Sequence, residues 1–164
     1  MTTVCAIRVP GAGVVMAGDG RVCEANHIVA DDFTKVLRLG TATAAWAGTP
    51  VVGNLLIGVQ GVPGIRRRLR DAEVDDNGFE VLMYDGPRDI LSSLDSSGTE
   101  MTISRHYATG SGRAFALGYL DSFRKPPADL KAAAARAKRA VRIAAARDVG
   151  TGGRILVVVQ PHQK

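Results

Sequence analysis

Threonine stands directly after the initiator methionine, and a threonine in that place could do chemistry. Aminopeptidases generally remove a methionine that precedes so small a residue, so Met1 is expected to be removed, leaving Thr2 with a free α-amino group. Such an amine has a pKa of about 7.7 to 8.0, and a useful fraction is therefore neutral at physiological pH. One residue then holds both nucleophile and base: the hydroxyl attacks a carbonyl while the amine, directly or through a water, takes the proton. The β-methyl restricts χ1 and helps to hold the hydroxyl in place. Many chains carry a small residue at position 2, so the feature alone decides nothing.

Other residues could tune such a group. Asp19 sits between Gly18 and Gly20, whose freedom permits a tight turn that aims the acid. Lys35 stands near the start of a strand. A buried Asp19–Lys35 pair beside Thr2 would favour the neutral amine and stabilise developing negative charge. The alternative is an ordinary turn aspartate and a solvated lysine, and spacing alone favours that alternative. Gly48 could present a backbone N–H to the oxyanion of a tetrahedral intermediate, or be only a strand-to-helix turn. For Gly110-Ser111-Gly112 and for Asp148 through Gly153, including Thr151, structural readings suffice. Ser111 would cap a helix, and the glycines would stop a helix and make a turn.

These residues need elements to position them. Thr3–Val9 and Gly13–Ala17 read as a hairpin across Pro10-Gly11-Ala12-Gly13, and further strands are expected at His27–Ala30, Lys35–Leu39 and Ala42–Ala47. Val51, Val52, Leu55, Leu56 and Val59 follow a helical period after Pro50. Gly61, Pro63 and Gly64 are expected to interrupt that helix, leaving a short piece from Ile65 to Ala72. Strands resume at Phe79–Tyr84, Ile90–Leu94 and Met101–Ser104. Helices follow at Gly112–Phe123 and, after Pro126-Pro127, at Ala128–Arg147. The closing run Ile155–Val159 suits a strand covered on both sides. Strands and helices grouped in this way favour sheets with helices packed outside them over alternating βαβ units.

Length and composition set bounds. A chain of 164 residues fits one domain, 1–164. Its apolar fraction is 46%, and no run approaches the length of about 20 apolar residues needed to span a bilayer. A soluble, cytoplasmic protein is expected, because no basic segment followed by an apolar stretch opens the chain. Cys5 and Cys23 are too few for a disulfide framework and make no zinc spacing, so both are expected as small reduced core residues, and no metal or cofactor is implied. The formal charge of +5 lies mainly in Arg66–Arg70 and in Lys131–Arg147, with little aromatic interleaving to stack bases. A solvated face or a subunit contact is the reading for both stretches, rather than a nucleic-acid site.

Taken together, Thr2-Thr3-Val4, Ala17-Gly18-Asp19-Gly20, Lys35-Val36, Ala47-Gly48-Thr49, Gly110-Ser111-Gly112 and Asp148 through Gly153 form a set far more specific than its members. In this order they resemble the signatures of proteasome β-subunits and the bacterial peptidase HslV, over most of the chain. The resemblance implies an α+β fold, a four-layer αββα sandwich with two antiparallel sheets between helical layers. It also implies a threonine endopeptidase acting on unfolded polypeptide within a ring of its own copies. Thr2 would be nucleophile and base, Asp19 and Lys35 its tuning pair, and Gly48 the oxyanion glycine. Ser111, Asp148 and Thr151 would bond around the N-terminus, with Thr151 where serine is often found. A local base leaves His27, His106 and His162 without a catalytic role. The region from Pro50 to Val74 is short for the family, whose members usually carry two substantial helices there. An AAA+ unfoldase is a family implication only, since the chain has no glycine-rich ATP loop. A catalytically inert ring subunit and an amidase for a small molecule remain as alternatives.

Overall fold

The computed structural model describes residues 2–25, 27–72 and 78–163. In chain order come β1 (Thr3–Val9), β2 (Gly13–Gly18), β3 (Val22–Glu24), β4 (His27–Ala30), β5 (Val36–Leu39) and β6 (Ala42–Gly48). Two helices follow, α1 (Val51–Leu56) and α2 (Gly61–Arg70). Next are β7 (Phe79–Asp85), β8 (Ile90–Asp95), β9 (Glu100–Ile103) and β10 (His106–Gly110). Two more helices, α3 (Arg113–Asp121) and α4 (Leu130–Ala145), precede β11 (Leu156–Pro161).

The strands make two antiparallel sheets, ordered β10-β1-β2-β11 and β5-β6-β7-β8-β9, with β3-β4 as a separate hairpin. Alternation along each strand assigns its side chains to layers. Val4 and Ala6 of β1, Val14 and Met16 of β2, and Leu82 and Tyr84 of β7 face the gap between the sheets. Cys5, Ile7, Val15 and Ala17 face the opposite way, against α3 and α4. On the other sheet Trp46, Val81 and Met83 turn outward against α1 and α2. Three apolar cores thus separate four layers, helix, sheet, sheet and helix, as expected for the αββα sandwich.

Small residues set how close the layers come. Helix α4 buries Ala133, Ala137, Ala140 and Ala144 on one face, a spacing of three to four that lets its backbone sit near β1 and β2. The Cys5 thiol reaches the Ala137 carbonyl at 3.6 Å, and burial pushes that thiol up to about 12, so it is inert there. Asp129 caps α4, accepting the Ala132 N–H at 2.7 Å.

Several expectations are corrected. Pro63 and Gly64 lie inside α2, which starts at Gly61 and ends at Arg70 rather than running from Ile65 to Ala72. Pro63 occupies the first turn, where a missing N–H costs no helical bond. The break falls earlier, at Ile57–Gln60, where Gly58 takes φ 76°. The last two helices are shorter than the ranges 112–123 and 128–147. Strands β3 and β10 lie outside the expected set: the first is three residues long, and the second reads His-Tyr-Ala-Thr-Gly with little apolar pattern. Strand β11 has a helix over one face and the second sheet over the other, but it is the edge of its sheet and only half-buried. Cys23 is also half-buried rather than a core residue. Among the described residues no helix is long and apolar enough to cross a membrane.

The gap between the sheets is a close-packed core. Leu82 is fully buried there, so Leu82→Ala is expected to cost about 2–5 kcal/mol, read from urea unfolding. A loss below about 1 kcal/mol would contradict a close-packed inter-sheet core.

Candidate functional site

The site lies where β1 begins, β2 ends and the loops before β5 and β11 converge. Strand β1 pairs with β2 so that Val4 faces Gly18, and Asp19 follows directly. The Asp19 carboxylate is buried and fully engaged. One oxygen accepts the Thr3 N–H at 2.9 Å and the Lys35 ammonium at 3.0 Å; the other accepts the N–H groups of Arg21 at 3.1 Å and Gly152 at 3.0 Å.

Lys35 is buried with 4% of its side chain exposed, so the solvated lysine that spacing alone favours is not what the chain makes. Its ammonium spends its three donors on Thr2 Oγ1 at 2.5 Å, Asp19 at 3.0 Å and the Arg21 carbonyl at 2.5 Å. Burial lowers its pKa, and the Asp19 charge opposes that shift. The Thr2 hydroxyl therefore sits against a cation held by a carboxylate, as the resemblance implies.

A second cluster lies on the other side of Thr2. Ser111 Oγ donates to Asp148 Oδ2 at 2.6 Å and, with its one proton so used, accepts the Thr2 N–H at 3.2 Å. Thr151 donates to the same Asp148 oxygen at 2.5 Å and accepts from the Thr3 hydroxyl at 2.6 Å. Burial would raise the Asp148 pKa, but these two hydroxyls and the Gly150 N–H outweigh it and hold the carboxyl below its usual value. Ser111 does not cap α3; Gly112 occupies the cap position and no side chain bonds there. Its hydroxyl is committed instead to Asp148 and Thr2.

Gly48 ends β6 with φ 108°, and a Cβ there would stand 2.4 Å from the Gly78 carbonyl oxygen. Only glycine fits that backbone. It lines the cleft that also contains Thr2 and Lys35. All seven residues singled out from the sequence thus meet at one end of the sandwich: Thr2, Asp19, Lys35 and Gly48 around the cleft, Ser111, Asp148 and Thr151 behind the Thr2 nitrogen. In the chain that retains Met1 this nitrogen is a peptide N–H, and it becomes an amine when Met1 leaves.

Sequence reasoning misses Arg21, Thr3 and the cleft walls. The Arg21 guanidinium bonds Asp31 at 2.8 Å and the Val149 carbonyl at 3.2 Å, so one residue joins three loops while its own carbonyl anchors Lys35. Its position two residues beyond Asp19 is the signal that points to it. Thr3 is accessible from alternation, since it points away from the inter-sheet core towards the helical layer.

Two antiparallel sheets between helical layers, with a threonine at the start of the first strand, define the N-terminal-nucleophile hydrolase fold. The sequence model for proteasome subunits matches residues 77–160, just over half of the chain, and the chain belongs to the proteasome subunit family. Thiobacillus denitrificans BPH has the same fold, at a TM-score of 0.76 and 20% identity, over 99% of each chain. The structure of Thiobacillus denitrificans BPH in complex with epoxomicin gives a TM-score of 0.76 and 21% identity, over 99% of this chain and 100% of that one. Ser111, Asp148 and Thr151 lie inside the matched range; Thr2, Asp19, Lys35 and Gly48 lie before it.

Replacing Asp19 should show how much rests on it. Asp19→Asn leaves the Lys35 ammonium buried without a countercharge, and a loss of about 3–5 kcal/mol is expected on chemical unfolding. An unchanged midpoint would contradict the buried pair.

Proposed function

We propose that the chain is a threonine-type endopeptidase that cuts peptide bonds of unfolded polypeptides with Thr2, once Met1 is removed. The observation that carries this reading is the 2.5 Å contact between the Thr2 hydroxyl and an ammonium that is itself bonded to Asp19. The Thr2 Oγ1 attacks the substrate carbonyl carbon, and its proton passes to the Thr2 α-amine, directly or through a water. Negative charge moves to the carbonyl oxygen, where the Gly48 N–H receives it, while the Lys35 ammonium stabilises the alkoxide character of Oγ1. The protonated amine then gives its proton to the departing nitrogen as the carbon–nitrogen bond breaks. The resulting ester is cleaved by water, which the amine deprotonates in turn, and Oγ1 regains its proton. Ser111, with Asp148 and Thr151 behind it, orients the amine.

The threonine-protease-like fold and the family support this chemistry, as does the binding of epoxomicin by a structure of the same fold. The reading includes a ring of identical copies in the cytoplasm. Self-association is supported by the family and by apolar side chains left open to solvent, among them Ile28 at 54%, Val29 at 61% and Ile57 at 69% exposure. Unfolding of substrate would fall to a separate AAA+ unfoldase.

Thr2→Ala and Lys35→Ala are each expected to lower peptide turnover at least about 100-fold, whereas Thr2→Ser keeps measurable activity. The pH profile should also be diagnostic. Turnover rises as the amine loses its proton, near about pH 7.7 to 8.0 for an ordinary α-amine. It falls again below pH 10.5, because burial makes Lys35 give up its proton sooner than a free lysine does. Undiminished cleavage by Thr2→Ala would contradict the proposal.

A further inference from the structure

Helix α4 is built from alanine and basic residues and carries no acidic side chain. Its alanines fill the inner face against β1 and β2, which leaves Lys131, Lys138, Arg139 and Arg142 exposed on the outer one, with Arg147 exposed just beyond its end. Spacings of three, four and seven put the four helical cations on one side. Between Arg113 and Arg147 stand nine lysines and arginines against two aspartates, so this stretch holds +7 where the whole chain holds +5. The rest of the molecule is therefore net acidic, and the positive charge is gathered on the α3–α4 layer. Nearby carboxylates are already engaged: Asp121 with His106 at 2.9 Å, Asp129 with the Ala132 N–H at 2.7 Å, and Asp148 with Ser111 and Thr151. Among the described residues none of these exposed cations pairs with a carboxylate.

The row leads to Thr2. Asp148, one residue past Arg147, holds Ser111 and through it the Thr2 nitrogen, and Arg113 stands two residues past Ser111. That nitrogen decides which half of a substrate passes here. In the proposed reaction the Thr2 amine returns its proton to the departing nitrogen, so the departing half lies on the amine's side, while the half that bears the attacked carbonyl lies in the cleft. The departing chain therefore starts beside Arg113 and Arg147 and has α4 before it, 16 residues and about 24 Å long. In the cleft the cations are already matched, Lys35 by Asp19 and Arg21 by Asp31, so charge distinguishes the two halves. No aromatic side chain on α4 offers a base a stacking partner, and no large apolar one on its exposed face offers a membrane an anchor. A second copy docked α4 against α4 would set cation against cation. An extended acidic polypeptide is the occupant these charges fit.

We infer that the basic row of α4 determines specificity for the departing half of the substrate: it selects polypeptides in which acidic residues follow the cleaved bond. This rests on the peptidase reading of Thr2. The test uses peptides with one common cleavage sequence and four aspartates placed after the bond, the same four placed before it, or four alanines or lysines after it. With wild type at low salt, aspartates after the bond are expected to give kcat/KM at least about tenfold above lysines, chiefly through KM. Salt at about 0.5 M should remove most of that advantage. The double change Arg139→Glu and Arg142→Glu should leave turnover of the alanine peptide unchanged and reverse the order of the charged ones. The milder Arg139→Gln and Arg142→Gln should shrink the preference, and they carry the test if the reversal disturbs folding. A second readout needs no turnover: with Thr2→Ala, the anisotropy of a labelled aspartate peptide should rise saturably, and the double reversal should abolish the rise. An equal gain from aspartates on either side of the bond, or the wild-type preference in both double variants, would overturn the inference and leave the peptidase reading standing. Binding to Thr2→Ala that the double reversal abolishes, with no peptide cleaved by wild type, would support the basic surface and overturn the peptidase reading. Neither cleavage nor binding would overturn both.

Discussion

A lysine with 4% of its side chain exposed is tolerated only where something replaces the water it has lost, and in this chain that something is Asp19. Attraction between two buried charges offsets their desolvation only when the remaining donors and acceptors are also satisfied. They are: Asp19 accepts three backbone N–H groups besides Lys35, and Lys35 gives its other protons to Thr2 and to the Arg21 carbonyl. Those partners come from the start of β1, the loop after β2 and the loop before β11. The pair therefore holds together segments far apart in sequence, and it places a cation against a hydroxyl.

The sandwich exists to bring those segments to one end. Antiparallel pairing of β1 with β2 and with β10 puts Thr3 opposite Gly110 and Val4 opposite Gly18, so the turns that carry Ser111 and Asp19 flank the first residues of the chain. Small residues then permit the approach. A Cβ at Gly110 would meet the Thr2 carbonyl oxygen at 2.0 Å, and one at Gly112 would meet the Thr3 hydroxyl at 2.3 Å. Across the gap, β6 delivers Gly48 and Trp46 to the same cleft. Core and site share strands: Val4 packs between the sheets, and its neighbour Thr3 bonds Asp19 and Thr151.

Much of this arrangement is legible in the amino-acid sequence, for different reasons in different places. The β1–β2 hairpin and the α4 helix announce themselves by period and by turn residues, and both lie within a few residues of where those signals put them. The site residues are legible only as an ordered set; singly, Asp19 reads as a turn acid and Ser111 as a cap. Burial of Lys35 cannot be read from its neighbours, because it depends on a carboxylate 16 residues away and on loops more than 100 residues away. Strand β10 escapes the pattern since its order comes from pairing with β1 rather than from apolar alternation, and α2 is misplaced by its proline, which signals a break yet sits in a first turn. The place of Trp46 as a wall of the cleft cannot be read from its neighbours in sequence, because its ring packs on Gly53, in a helix that the sequence resolves only coarsely.

The proposed chemistry takes nucleophile and base from one residue, Thr2. Intact mass before and after treatment with an epoxyketone tests it most directly, because that reagent closes a ring with both a free N-terminal amine and the adjacent hydroxyl. One adduct per chain is expected, mapped to Thr2 in protein that has lost Met1. No adduct on protein shown by the same mass to begin at Thr2 would contradict it.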